Sequence, residues 1–212
     1  MRFQSLTIFK PGDSIMRFQS LLLPLMLSVT CTAGFSAESA VALAPAPAAI
    51  VVNSGISETE VVSAQKAWGE ALVAISTTFE KEGLPAAKTL AGAVIDAAYG
   101  YQFGVVLFKP TLTEVPQTFR TTRAGALAYF VGDDAAFPRD KGFALKPWRK
   151  VEVRNAGIYL SGDTATSMGH VQLTDKDGKV TIVDKTWTWR KDDNGRLRIM
   201  VHHSSLPYTA AK

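Results

Sequence analysis

Lys185 to Tyr208 reads KTWTWRKDDNGRLRIMVHHSSLPY. Trp187, Thr188, Trp189 and Arg190 have the aromatic and β-branched character of a strand, Asp193-Asn194-Gly195 supplies a turn that tolerates positive φ, and Leu197 to His203 returns as a second strand. A period of two places Leu197, Ile199, Val201 and His203 on one face and Arg198, Met200 and His202 on the other. With a two-residue turn at Asn194-Gly195, Trp187 and Trp189 lie beside Met200 and His202, whereas a bulge reverses that pairing. In the regular register both faces carry large apolar groups. One then covers helices, and the other calls for a second cover such as another subunit, predicting a homodimer or larger assembly through the outer sheet face.

The Gly-Arg-Leu-Arg-Ile-Met-Val-His-His-Ser-Ser run at 195–205, after a Thr-rich strand and an Asp/Gly turn, resembles the last hairpin of the nuclear transport factor two-like superfamily. The similarity is greatest to its SnoaL-like members and to the association domain of calcium/calmodulin-dependent protein kinase II. It spans roughly Ser57 to Tyr208 and implies an α+β cone: a curved antiparallel sheet wrapped on about three N-terminal helices around a pocket, often in a dimer or larger oligomer. The aromatic residue usual after the turn glycine is Leu197 here. The position after the second histidine, basic in the kinase association domains, is Ser204.

The rest of the chain fits that architecture. Ser57-Glu58-Thr59-Glu60 is a capping box, and Val61, Ala64, Trp68, Leu72, Ile75 and Phe79 step by threes and fours to Gly83. Pro85 opens a second helical stripe through Ala87, Leu90, Val94, Ala98 and Tyr101. Val105 to Phe108 is a short strand, and Thr122 caps a third helix, Arg123 to Val131, closed by Gly132. Residues 133–147 read as loop. Strands follow near Trp148–Asn155, Thr164–Thr174 and Val180–Arg190, so helices precede a meander of strands.

Upstream, MRFQS occurs at 1–5 and again at 16–20. From Met16 the chain shows Arg17, an apolar run Leu21–Val29 and small residues to Ala37, the pattern of a secretory signal peptide cleaved between Ala33 and Ala40. The run is short of the ~20 residues that span a bilayer. The expectation is export to the periplasm or medium, with a signal segment at 1–37, an Ala/Pro-rich spacer at 38–56, one domain at 57–212, and no membrane association after cleavage.

Cleavage removes Arg2, Lys10 and Arg17 against Asp13 and leaves 20 basic and 18 acidic side chains of the 23 and 19 in the chain. The near-neutral balance gives no reason to expect a nucleic-acid partner. The only cysteine, Cys31, also leaves, so no disulfide, thiol nucleophile or Cys-ligated zinc is expected. No phosphate loop, dinucleotide glycine pattern or nucleophile elbow occurs, so no cofactor and no metal site is expected. Asp175-Lys176-Asp177-Gly178 and Asp192-Asp193-Asn194-Gly195 lack the ligand spacing of a calcium loop and read as hairpin turns.

The candidate chemistry rests on histidine. Alternation separates His202 from His203. His203, on the face of Leu197, Ile199 and Val201, is expected to point inward with its titration depressed, and His170 to face it across the sheet. Both are candidates for a general base, against the alternative of hydrogen-bonded histidines at the rim of a core. Tyr101, Phe108, Arg120, Tyr129, Trp187 and His203 are candidates for lining an apolar pocket, with Lys109, Arg120 or Arg123 at its mouth, suited to a small amphipathic or anionic ligand. Two functions fit. One is an exported binding or assembly module without catalysis. The other is a small-molecule isomerase, cyclase or hydrolase, a metal-dependent cyclohydrolase being its less favoured form.

Overall fold

A computed structural model describes residues 55–210; the expected signal segment and nearly all of the expected spacer lie outside them. Helix α1 spans Glu58–Glu82. Its start is fixed by the capping box: the Glu60 amide donates to Ser57 Oγ at 3.3 Å, and the Ser57 amide donates to Glu60 Oε2 at 2.8 Å. Its apolar stripe buries Val61, Trp68, Leu72 and Ile75. Gly83, at φ 80°, ends it and turns directly into α2, Leu84–Ala98, with Pro85 in the first turn. Helix α3, Arg123–Val131, begins where the Gly125 amide donates to Thr122 Oγ1 at 3.1 Å.

The five strands are β1 Leu107–Lys109, β2 Trp148–Ser161, β3 Thr164–Asp175, β4 Val180–Lys191 and β5 Leu197–Ser205. They form one sheet in the order β1-β5-β4-β3-β2. Strands β2 to β5 are the expected antiparallel meander. Contrary to a purely antiparallel sheet, β1 pairs with β5 in parallel, Phe108 opposite His202, because the whole α3 and β2–β4 excursion separates the two strands in the chain. The three helices and this unclosed, mixed sheet are the α+β fold of the superfamily that the hairpin resembles.

The terminal hairpin departs from strict alternation. Thr188 pairs with Val201 but Trp189 with Ile199, so Met200 is left as a bulge in β5. A tertiary contact accompanies it: the Gly100 amide donates to the Ile199 carbonyl at 3.0 Å, and Met200 packs so closely over Gly100 that a Cβ there would collide with its sulfur. Past the bulge the parity flips, so Ile199 and His202 both point inward and His203 outward. Trp187 and Trp189, expected on the outer face, are instead 1% and 2% exposed in the core. The outer face carries Tyr159, Met168 and Ile182, all exposed.

Candidate functional site

Inside the sheet, β4 and β5 place Lys185 directly opposite Ser204 and Trp187 opposite His202, all four side chains buried. Tyr99, at the C-terminal end of α2, reaches the same region. Its hydroxyl accepts from Trp68 Nε1 at 3.1 Å and lies 2.8 Å from His202 Nδ1; on the other side of the imidazole, Lys185 Nζ is 3.0 Å from Nε2. Phe108 of β1 stacks on His202 with ring centroids 4.5 Å apart, and the Lys185 ammonium position lies 4.1 Å from the Trp68 ring centre.

A row of hydroxyls continues from this chain. Thr111, on the sharp exit from β1 after Pro110, is 2.6 Å from Ser204 Oγ, and Lys109 Nζ donates to the Ser204 carbonyl at 2.9 Å. Tyr129 of α3 sits beside Thr111 and the Leu112 backbone. Its hydroxyl is buried and has no partner at bonding geometry, a costly state for a polar group unless something else fills the bond. Tyr129 also lines an open cleft of about 470 Å³ with Leu112, Arg139, Lys141, Phe143 and Lys146, so the cluster adjoins solvent on that side.

Burial sets the protonation of the group. It pushes the Lys185 amine down to about 7, with no carboxylate paired to it to hold the charge. His202 is held well below the usual histidine range, first by burial and then by Lys185 and His203. The Tyr99 and Tyr129 phenols are raised by burial. At neutral pH the site therefore holds a neutral imidazole, neutral phenols and an amine poised between its two forms.

The expected site residues divide. Phe108, Tyr129 and Trp187 are brought together in the interior, and Tyr101 stacks on Tyr99 at 5.9 Å. His203 and His170 are not there. The bulge at Met200 turns His203 out, and His170 lies on the outer face beside Asp184, its Nδ1 3.0 Å from the carboxylate and both side chains exposed. They line a separate open pocket of about 300 Å³ on that face. Arg120 is no mouth residue, since Asp140 binds it in a buried bidentate pair at 2.7 and 2.8 Å. Arg123 pairs with Asp96 at the surface. Lys185, Ser204, Thr111 and Tyr99 escaped the sequence-based expectations. Lys185 and Ser204 had a signal, because each lies two residues from an aromatic or imidazole neighbour on the same inward face; Thr111 in its loop had none.

Fold and site together define a cone-type α+β protein whose interior carries an imidazole, an amine and three converging hydroxyls. Comparison with known proteins narrows this. The family model for metal-independent carbonic anhydrase matches residues 59–206, and the chain belongs to that family. The metal-independent carbonic anhydrase of Nostoc sp. (strain PCC 7120) is 70% identical over 158 residues, covering 74% of this chain and 77% of that protein. A crystal structure of the iota-carbonic anhydrase from a cyanobacterium, complexed with bicarbonate, is 68% identical, covers 76% of this chain and 99% of its own, and superposes with a TM-score of 0.75. A kinase II association-domain structure from Xanthomonas campestris is 24% identical, covers 74% and 93% of the two chains, and has a TM-score of 0.48. Membership in a carbonic anhydrase family overturns the expectation of a binding or assembly module without catalysis, and equally the isomerase, cyclase or hydrolase alternative.

Proposed function

We propose that the chain catalyses the reversible hydration of CO2 to bicarbonate in the cone interior, without a metal. Beyond family membership, the observation that carries this reading is the partnerless Tyr129 hydroxyl beside the Thr111–Ser204 pair. As a water oxygen bonds the CO2 carbon, negative charge grows on the CO2 oxygens. Hydroxyl donors fixed around that position in a low-dielectric interior stabilise the charge as it develops. Tyr129 supplies a donor that no partner holds at full hydrogen-bond geometry, and Thr111 and Ser204 can turn theirs. The rings of Phe108, Trp68 and Trp187 suit neutral CO2. Water unassisted by a metal needs a base, which neutral His202, backed by Lys185 in its amine form, offers. Among the described residues no three His, Cys, Asp or Glu side chains come together in a way that could hold a metal.

Stopped-flow CO2 hydration on protein treated with a strong chelator, its metal content checked, tests the proposal. The expected result is a rate well above buffer and insensitive to the chelator. A rate equal to buffer, or one restored only by added zinc, overturns it.

We also propose a homodimer through the outer sheet face, supported now by exposed Tyr159, Met168 and Ile182 rather than by the tryptophans. Light scattering at micromolar concentration is expected to give twice the chain mass, and Met168→Lys with Ile182→Lys to return the monomer. A monomeric wild-type chain contradicts it.

A further inference from the structure

The chain Trp68–Tyr99–His202–Lys185 has two complete proton arrangements. Trp68 Nε1 can only donate, so the Tyr99 oxygen accepts there. In the first arrangement the Tyr99 hydrogen goes to His202 Nδ1, the imidazole carries its own hydrogen on Nε2, and that hydrogen is donated to Lys185 Nζ. The amine must then be uncharged, because an ammonium has no lone pair to accept with. In the second, Lys185 is an ammonium donating to Nε2, the ring hydrogen sits on Nδ1 and is donated to Tyr99, and the hydrogen of Tyr99 is released to point elsewhere. The two differ by one proton, and every ring and oxygen keeps its ordinary valence in both.

We propose, resting on the CO2-hydrating reading above, that Lys185 is the proton acceptor of that reaction, reached through Tyr99 and His202. At rest the first arrangement holds. As a water oxygen bonds the CO2 carbon, one C=O π pair moves onto oxygen and the O–H bond of the water breaks. The released proton bonds to the Tyr99 oxygen, the former Tyr99 hydrogen moves to Nδ1, and the Nε2 hydrogen moves to Nζ. Bicarbonate is left facing a Tyr99 hydroxyl that now donates to it, and the proton is stored on Lys185 until solvent buffer removes it. The same shifts in reverse serve bicarbonate dehydration. The reacting water must therefore meet the Tyr99 oxygen while the CO2 oxygens face the Tyr129, Thr111 and Ser204 hydroxyls, with His202 and Lys185 acting through Tyr99.

Burial without a paired carboxylate fits a lysine that gives up its proton near neutrality, its amine pushed down to about 7. The titratable groups around it are Tyr99 from the end of α2, His202 and His203 of β5, Lys109 of β1 and Tyr129 of α3, with Asp184 of β4 and His170 of β3 on the outer face, paired with each other. Lys185 itself bonds to His202 and makes no ion pair with a carboxylate.

The test begins with wild-type turnover. Its absence would defeat the proposed function as a whole, whereas the role of Lys185 is decided only in an active protein. There, Lys185→Met, of similar length but without a proton site, is expected to lower kcat at least about tenfold. It should also remove the rise of kcat with pH through neutrality, while bicarbonate affinity, read from 13C line broadening, changes less than about twofold. If the Met variant does not fold, Lys185→Gln serves the same comparison. Nitrogen-15 NMR of the lysine side chains gives a readout independent of turnover, with Lys185 expected as an amine at pH 8 and an ammonium at pH 6. A folded variant with unchanged kcat and pH profile overturns the proposal, as does a Lys185 that stays an ammonium throughout that range.

Discussion

Tyr129→Phe is expected to lower kcat for CO2 hydration by about 10²–10³-fold, the usual cost of removing one preorganised donor to a developing oxyanion, and to leave the melting temperature essentially unchanged. The two halves of this expectation come from one observation. The hydroxyl is buried and has no partner at full hydrogen-bond geometry, only the nearby polar groups of Thr111 and Leu112, so the folded protein loses little when it is deleted. The ring, stacked on Phe143 at 5.5 Å and edge-on to Phe108 at 5.7 Å, is retained. Any large effect must therefore appear in the reaction. Turnover measured beside a thermal melt separates the outcomes: a stable and fully active variant would remove Tyr129 from the site. Ser204→Ala is expected to act in the same direction with some loss of stability, since Thr111 would lose its partner.

The second large effect is on folding. Arg120→Ala is expected to cost about 3–5 kcal/mol, because it strands the buried Asp140 carboxylate. Both side chains are nearly inaccessible, at 2% and 4%, and the guanidinium also donates to the carbonyls of Gln117 and Phe119 and lies over the Phe137 ring at 4.5 Å. The Arg120 amide bonds to the Phe108 carbonyl at 2.8 Å, and the Arg120 carbonyl accepts from Tyr101. Arg120 therefore fastens the far end of the segment that begins with Pro110 and Thr111, and its loss should lower turnover as well by loosening Thr111. Denaturant unfolding of Arg120→Ala and of the double variant Arg120→Met/Asp140→Leu provides the check. The double variant should recover most of the stability, since it leaves no unpaired charge; equal losses in both would show that the pair itself matters little.

Stability should also depend on pH through the interior pair. Lys185 has a folded-state value near 7, below that of the unfolded chain, so between about 7 and 10.5 the unfolded state binds more protons. Stability should rise across that window as pH increases. His202, depressed below 6.5, adds a further loss as pH falls beneath that value. Melting curves from pH 6 to 10 on the wild type and Lys185→Met should differ in slope above pH 7, the variant being flatter. Parallel slopes would mean that Lys185 is charged in the folded protein.

Much of the fold was legible because its punctuation is local. The Ser57–Glu60 capping box, Gly83, Thr122 and Gly132 mark helix ends through their own backbone chemistry, and the structure places α1 and α3 between them. The β4–β5 hairpin likewise announces itself through its aromatic strand and Gly195, although the turn takes residues 192–196 rather than the two-residue form expected at Asn194-Gly195. What alternation could not carry was the face of the histidines. One unpaired residue, Met200, reverses every side chain beyond it, and the contact that accompanies the bulge is with Gly100, a hundred residues upstream. The parallel pairing of β1 with β5 and the approach of Thr111 to Ser204, 93 residues apart in the chain, are also long-range contacts with no trace in the local pattern. Lys185 was hidden by its type. A lysine between Asp184 and Thr186 reads as solvated, although the parity of Trp187 and Trp189 places it inside.

A crystal structure of this chain soaked in bicarbonate tests most directly that the reaction belongs to the cone interior and not to the exposed histidines. The account predicts a bicarbonate ion within hydrogen-bonding distance of the Tyr129 hydroxyl and the Thr111–Ser204 pair, on the inner side of β5. An ion bound instead in the outer pocket beside His203, His170 and Asp184, with the interior cluster unoccupied, would contradict it.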